Sequence, residues 1–106
     1  MTVHELSEKL PLTALGQEEN RPVTGVFCCD LLSVAMARAP ENSAWVTVIG
    51  NANAVAVATL ADVSCIVISE GYSFDDAAIA AAKGKIALFK SDKPTYETAV
   101  AIGTLL

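Results

Sequence analysis

Residues 44–69, AWVTVIGNANAVAVATLADVSCIVIS, decide the fold, and they carry a single formally charged side chain, Asp62. Residues 45–49 and 65–68 are short, continuous or nearly continuous apolar runs, so neither face of either run is suited to water. Strands covered on both sides show this pattern, as in parallel sheets with helices above and below. Between them, Gly50-Asn51-Ala52-Asn53 supplies turn and capping residues for a helix that continues through Asp62. Strand, helix and strand in this order form one βαβ unit, whose crossover is right-handed in nearly all known cases.

The same reading extends in both directions. Upstream, residues 23–29 are β-rich, and Asp30 can cap a helix whose Leu31, Leu32, Ala35, Met36 and Ala39 share a face until Pro40 ends it. Downstream, Ser73-Phe74-Asp75-Asp76 opens a helix that Gly84 closes, residues 86–89 form another doubly apolar strand, and Lys93-Pro94 begins a last helix through Tyr96, Ala99, Val100 and Gly103. At the start, Thr2 and Glu5 form a capping pattern for a short helix bearing Val3, Leu6 and Leu10, stopped by Pro11. Residues 12–15 are a brief apolar segment, and residues 16–22 read as a polar surface loop. The predicted fold class is therefore α/β, a three-layer α/β/α domain around a mostly parallel sheet, occupying residues 1–106 as one unit.

Composition narrows the function. Twelve acidic against seven basic residues give a net charge of −5, which argues against a nucleic-acid partner, whose phosphates require Lys and Arg. The apolar middle is interrupted by Thr47, Asn51, Asn53 and Thr59, so no membrane span is expected. The acidic start, MTVHELSEKL, lacks a signal-peptide core, and a cytoplasmic address follows. Cys28, Cys29 and Cys65 form an odd set without CxxC spacing, which points to reduced structural thiols and no zinc site. His4, the lone histidine, has no partner fixed by sequence, no catalytic triad is legible, and no cofactor motif of the GxGxxG or P-loop type is present.

In open parallel sheets, ligands bind at the carboxyl ends of the strands. The candidate ligand residues are accordingly Gly50, Asn51 and Asn53, placed to receive a small anionic metabolite or nucleotide at a helix N-terminus, with Asp30, Glu70 and Asp92 at neighbouring strand ends. Were the three carboxylates to converge, they could hold a divalent metal or serve as acid and base on a phosphorylated substrate. Gly50 and the two asparagines have a plain structural alternative as a strand-to-helix turn and its cap, and Asp30 and Asp92 as a cap and a turn residue.

Asn20-Arg21-Pro22-Val23-Thr24-Gly25, followed by Asp30-Leu31-Leu32-Ser33, Trp45-Val46-Thr47 and Asn53-Ala54-Val55-Ala56-Val57-Ala58, resembles the DRTGG domain family over nearly the whole chain. The name-giving motif is altered: Asn20 replaces Asp, Pro22-Val23 separates Arg21 from Thr24, and Val26 stands at the second glycine. DRTGG domains accompany larger enzymes, including phosphate acetyltransferases and CBS-containing pyrophosphatases, and are similar to the N-terminal domain of HPr kinase/phosphorylase. The resemblance implies a regulatory or dimerisation unit, here standing alone, without the kinase chemistry of a separate P-loop domain.

The expected function is thus a non-enzymatic module that forms a homodimer or docks on a partner enzyme of metabolism. Its expected interface is the helix at residues 53–61, through Ala54, Val57, Ala58 and Ala61, because that helix shows no polar stripe.

Overall fold

Strands buried on both faces form the centre of the sheet. The computed structural model describes residues 1–15 and 20–106, so residues 16–19 of the loop read at 16–22 lie outside the described residues. The elements run α1 (Val3–Lys9), β1 (Thr13–Ala14), β2 (Gly25–Cys28), α2 (Leu32–Arg38), β3 (Ser43–Thr47), α3 (Ala52–Ala61), β4 (Cys65–Ile68), α4 (Asp76–Ala82), β5 (Ala87–Lys90) and α5 (Thr95–Leu105). The sheet order is β1-β5-β4-β3-β2, with β2 to β5 parallel and β1 antiparallel to β5 at one edge. Every residue of β3 and β4 is buried, including Ser43 and Thr47 at the two ends of β3.

Successive side chains of each strand point to opposite faces, which divides the core in two. On one side Trp45, Ile66, Ile68 and Leu88 pack with Ala35 of α2, Ala54, Val55, Val57 and Ala58 of α3, and Ala78 and Ala82 of α4. On the other, Ala44, Val46, Cys65, Val67, Ala87 and Phe89 pack with Val3 and Leu6 of α1 and Ile102 of α5. The result is a three-layer α/β/α fold. Because β2 to β5 are laid down in chain order, all three intervening helices lie on one face, and the two terminal helices close the other.

Local chemistry accounts for most helix boundaries. Thr2, Asn51 and Asp75 cap α1, α3 and α4 by accepting from the amides of Glu5, Ala54 and Ala78. Asp30 does not cap α2: the N-cap is Leu31, without a side-chain bond, because the Asp30 carboxylate is taken by β3. The antiparallel β1 is the other departure from the sequence reading, since two residues in an apolar segment carry no periodicity.

The amino ends of the strands are tied by Arg21. Its guanidinium donates to the Val63 carbonyl (2.9 Å), to Asn42 Oδ1 (3.1 Å), and to both the carbonyl (3.2 Å) and carboxylate (2.9 Å) of Asp62. Asn42 and Asp62 have φ of 63° and 61°, so the clamp holds two left-handed turns at the entries to β3 and β4. Ser64 adds a hydrogen bond to the Pro22 carbonyl. Arg21→Ala is expected to cost about 2–3 kcal/mol in urea denaturation, since charged hydrogen bonds are lost and half-buried carbonyls are left unpaired. Arg21→Lys is expected to recover little, as a compact ammonium cannot serve this spread of acceptors.

Candidate functional site

The four parallel strands present their carboxyl ends together, and the sequence-predicted ligand residues lie in the loops there or, for Asn53, in the first turn of α3. Sheet order puts β3 between the strands bearing Asp30 and Glu70, while the Glu70 and Asp92 loops follow adjacent strands. Among the described residues no three His, Cys, Asp or Glu side chains gather into a metal-holding group.

The carboxylates have separate employments. Asp30 Oδ1 accepts from the Thr47 hydroxyl and the Val48 amide, both at 2.9 Å, and so fastens the end of β2 to the end of β3. Glu70 Oε2 accepts from the Thr95 amide at 2.6 Å, filling the position at the start of α5 that an anion would take. Asp92 is exposed.

A crevice is expected where adjacent strands send their loops to opposite faces, and the chain does so after β4 and β5. Here that crevice is closed by the protein itself. The Glu70 amide donates to the Lys93 carbonyl (2.8 Å) and the Gly71 amide to the Ser91 carbonyl (3.3 Å). Hydroxyl pairs Ser69–Thr95 (2.7 Å) and Ser91–Thr98 (2.8 Å) add a second row of bonds. Left-handed backbone at Glu70 (φ 61°) and Gly71 (φ 73°) turns the chain back so that these contacts form. The sequence reading had no signal for these hydroxyls, because isolated Ser and Thr are common at any loop.

The Gly50 loop is also filled. A Cβ on Gly50 would stand 2.3 Å from the Ser73 carbonyl oxygen and 2.9 Å from Ile68 Cδ1, and the Asp75 amide donates to the Gly50 carbonyl at 2.9 Å. The close approach that a glycine permits is therefore used by the segment leading into α4. Asn51 caps α3, with Oδ1 3.0 Å from the Ala54 amide, and Asn53 is exposed on the first turn. His4 is exposed, its own amide donating to Asn20 Oδ1.

Two depressions lie among the described residues away from these loops. One, of about 40 Å³, lies among Leu10, Pro11, Leu12 and Thr98, far below the ~300 Å³ of a small-ligand pocket. The other is an open groove of about 210 Å³ between α3 and α4, bordered by Ala56, Thr59, Leu60, Ala81 and Lys85.

That groove corrects the expected interface. Ala54 and Ala58 are 0% exposed, Val57 is nearly so, and Ala61 is half-buried and packed against the same core. These residues form the inward side of α3, which lies between α2 and α4 and is flanked by both. A helix covered on three sides needs only a narrow polar stripe, so the apolar circumference of α3 follows from its central place. Its outward residues are Asn53, Ala56, Thr59 and Leu60.

The thiols differ in setting. Cys28 is exposed, Cys29 half-buried and Cys65 buried, all three free. Burial, and then the Asp30 carboxylate, raise Cys28 above its ordinary value. Burial pushes Cys65 up to about 12 from 9.0, opposed by the Arg21 charge. A raised native pKa means that the unfolded chain ionises first. Stability is therefore whole below pH 9.0 and falls between pH 9.0 and about 12, by up to about 1.4 kcal/mol per unit. Denaturation across that range should show the slope, and Cys65→Ala should flatten it.

Compared with known proteins, the sequence matches no family profile and no curated protein.

Proposed function

We propose that the chain is a non-enzymatic, DRTGG-like assembly module of the cytoplasm that acts by self-association and through it regulates or docks on a partner enzyme. The supporting observation is the contrast between the two kinds of surface. Where a ligand would bind, the chain's own Glu70, Asn51 and Ser73 occupy the available amides and space. On the helices, large apolar side chains stand in solvent: Leu31, Met36, Leu60, Tyr96, Val100 and Leu106 are each at least 47% exposed. These side chains are the surface that a second chain would cover. No described helix is long and apolar enough to cross a membrane.

Light scattering over a micromolar concentration series is expected to give a mass rising from the 11.0 kDa of one chain to twice that. A constant monomer mass over the series would overturn the proposal. The competing function, a sensor of anionic metabolites at Gly50, Asn51 and Asn53, separates in a thermal-shift panel of phosphorylated compounds. A ligand held by the native state alone raises Tm, and an assembly module shows no such rise.

A further inference from the structure

The sheet ends differently at its two edges. One edge is the two-residue antiparallel β1, short enough to offer little to another strand. The other is β2, Gly25-Val26-Phe27-Cys28, which contains no charge, no lysine and no proline, the devices that normally blunt an edge.

The register shows which groups are left over. The Cys29 amide donates to the Val46 carbonyl, and Cys28 pairs with Val46 across the parallel ladder. Backbone groups alternate along a strand, so Phe27 and Cys29 turn theirs to β3 while Val26 and Cys28 turn theirs outward. Among the described residues no backbone group outside the strand meets them. The run-in to β2 is covered, because Val23 donates to the Met1 carbonyl and Val3 to that of Arg21. The open window is β2 itself.

We propose that β2 pairs antiparallel with β2 of a second copy of this chain, joining the two sheets into one. This rests on the self-association put forward above and names the surface that makes it. A two-fold axis through Phe27 sets Val26 opposite Cys28 of the second copy, so each outward N–H meets an outward C=O. Phe27 then faces its own counterpart, a cross-strand aromatic pair. The helices at this end of the sheet identify the occupant. α2 follows β2, and α5 lies over β2 and β3. Five of the seven exposed large apolar residues belong to them or their ends: Leu31 and Met36 at α2, and Tyr96, Val100 and Leu106 at α5. An isologous interface brings α2 beside α2 and α5 beside α5, the two helices that carry most of the exposed apolar side chains. A lone foreign peptide would satisfy the strand and leave those helices bare.

The test combines two readouts on the full chain. Cys28→Pro removes an exposed side chain and an N–H that has no backbone partner among the described residues, so the fold should persist. Two copies each lose one hydrogen bond, and self-association should weaken about thirtyfold. In a Cys29→Ser background, a bismaleimide spanning about 8 Å should join Cys28 to Cys28, the diagonal spacing of an antiparallel ladder. Cross-linking also decides the matter if the proline variant does not fold. A monomer at every concentration overturns both this proposal and the function. A dimer that survives Cys28→Pro, that does not cross-link, or that Leu60→Glu dissociates, overturns the β2 seam alone and moves the interface elsewhere.

Discussion

Ala58→Glu is expected to unfold the protein or to cost it more than about 4 kcal/mol, well beyond an ordinary substitution. Ala58 has no exposed surface and sits in the core formed by Trp45, Ile66 and the helices beside α3. A glutamate there must find room for a longer side chain in a filled site, and it must also leave water as an ion or take up a proton. Ala54→Glu should behave alike. Ala56→Glu, two residues away on the exposed side of the same helix, is expected to stay within about 0.5 kcal/mol. Urea denaturation followed by far-ultraviolet circular dichroism measures all three. Near-native stability of Ala58→Glu would mean that α3 does not face its own sheet.

Gly50→Ala is the second large effect, and its origin is contact rather than conformation. One added methyl would collide with backbone, at 2.3 Å from the Ser73 oxygen and 3.1 Å from Phe74 Cα, and backbone cannot swing aside as a flexible side chain can. Relief requires the entry to α4 to move and the Asp75 to Gly50 hydrogen bond to lengthen. A loss of about 2–4 kcal/mol in thermal or urea denaturation is expected. Gly103→Ala is the internal control. It lies in α5 with nothing within 4 Å of a Cβ, and it should stabilise by up to about 1 kcal/mol through helix propensity alone.

The layers of this fold were legible because they follow from periodicity. Strands apolar at every position, such as residues 65–68, can only be inner strands of a doubly covered sheet, and Asn51 and Asp75 announced their helices chemically. The reading lost accuracy where one residue type serves two purposes. Asp30 has the composition of a cap, yet a strand-end hydroxyl and amide competed for its carboxylate and prevailed. Gly50 admits either a ligand or a neighbouring loop, and the partner in space, Ser73, lies 23 residues further along the chain. The apolar circumference of α3 suggested a partner because sequence does not say that α2 and α4 stand on either side of it. Arg21 was visible only as part of a family-like motif. Its work at the amino ends of the strands joins segments some 40 residues apart, which no local pattern encodes.

The strand order has a consequence for how the chain matures. β2, β3, β4 and β5 are neighbours in space in the order in which they are made, and each crossover closes only a short loop, so the sheet with α2, α3 and α4 can zip from one end. Its opposite face has no such orderly supply. Val46, Val67 and Phe89 wait there with α1 alone until α5 folds across β2 and β3. A nascent chain released before Thr95 therefore carries a finished sheet with one wet apolar side. Docking of the eleven-residue α5 is what covers that side of the sheet.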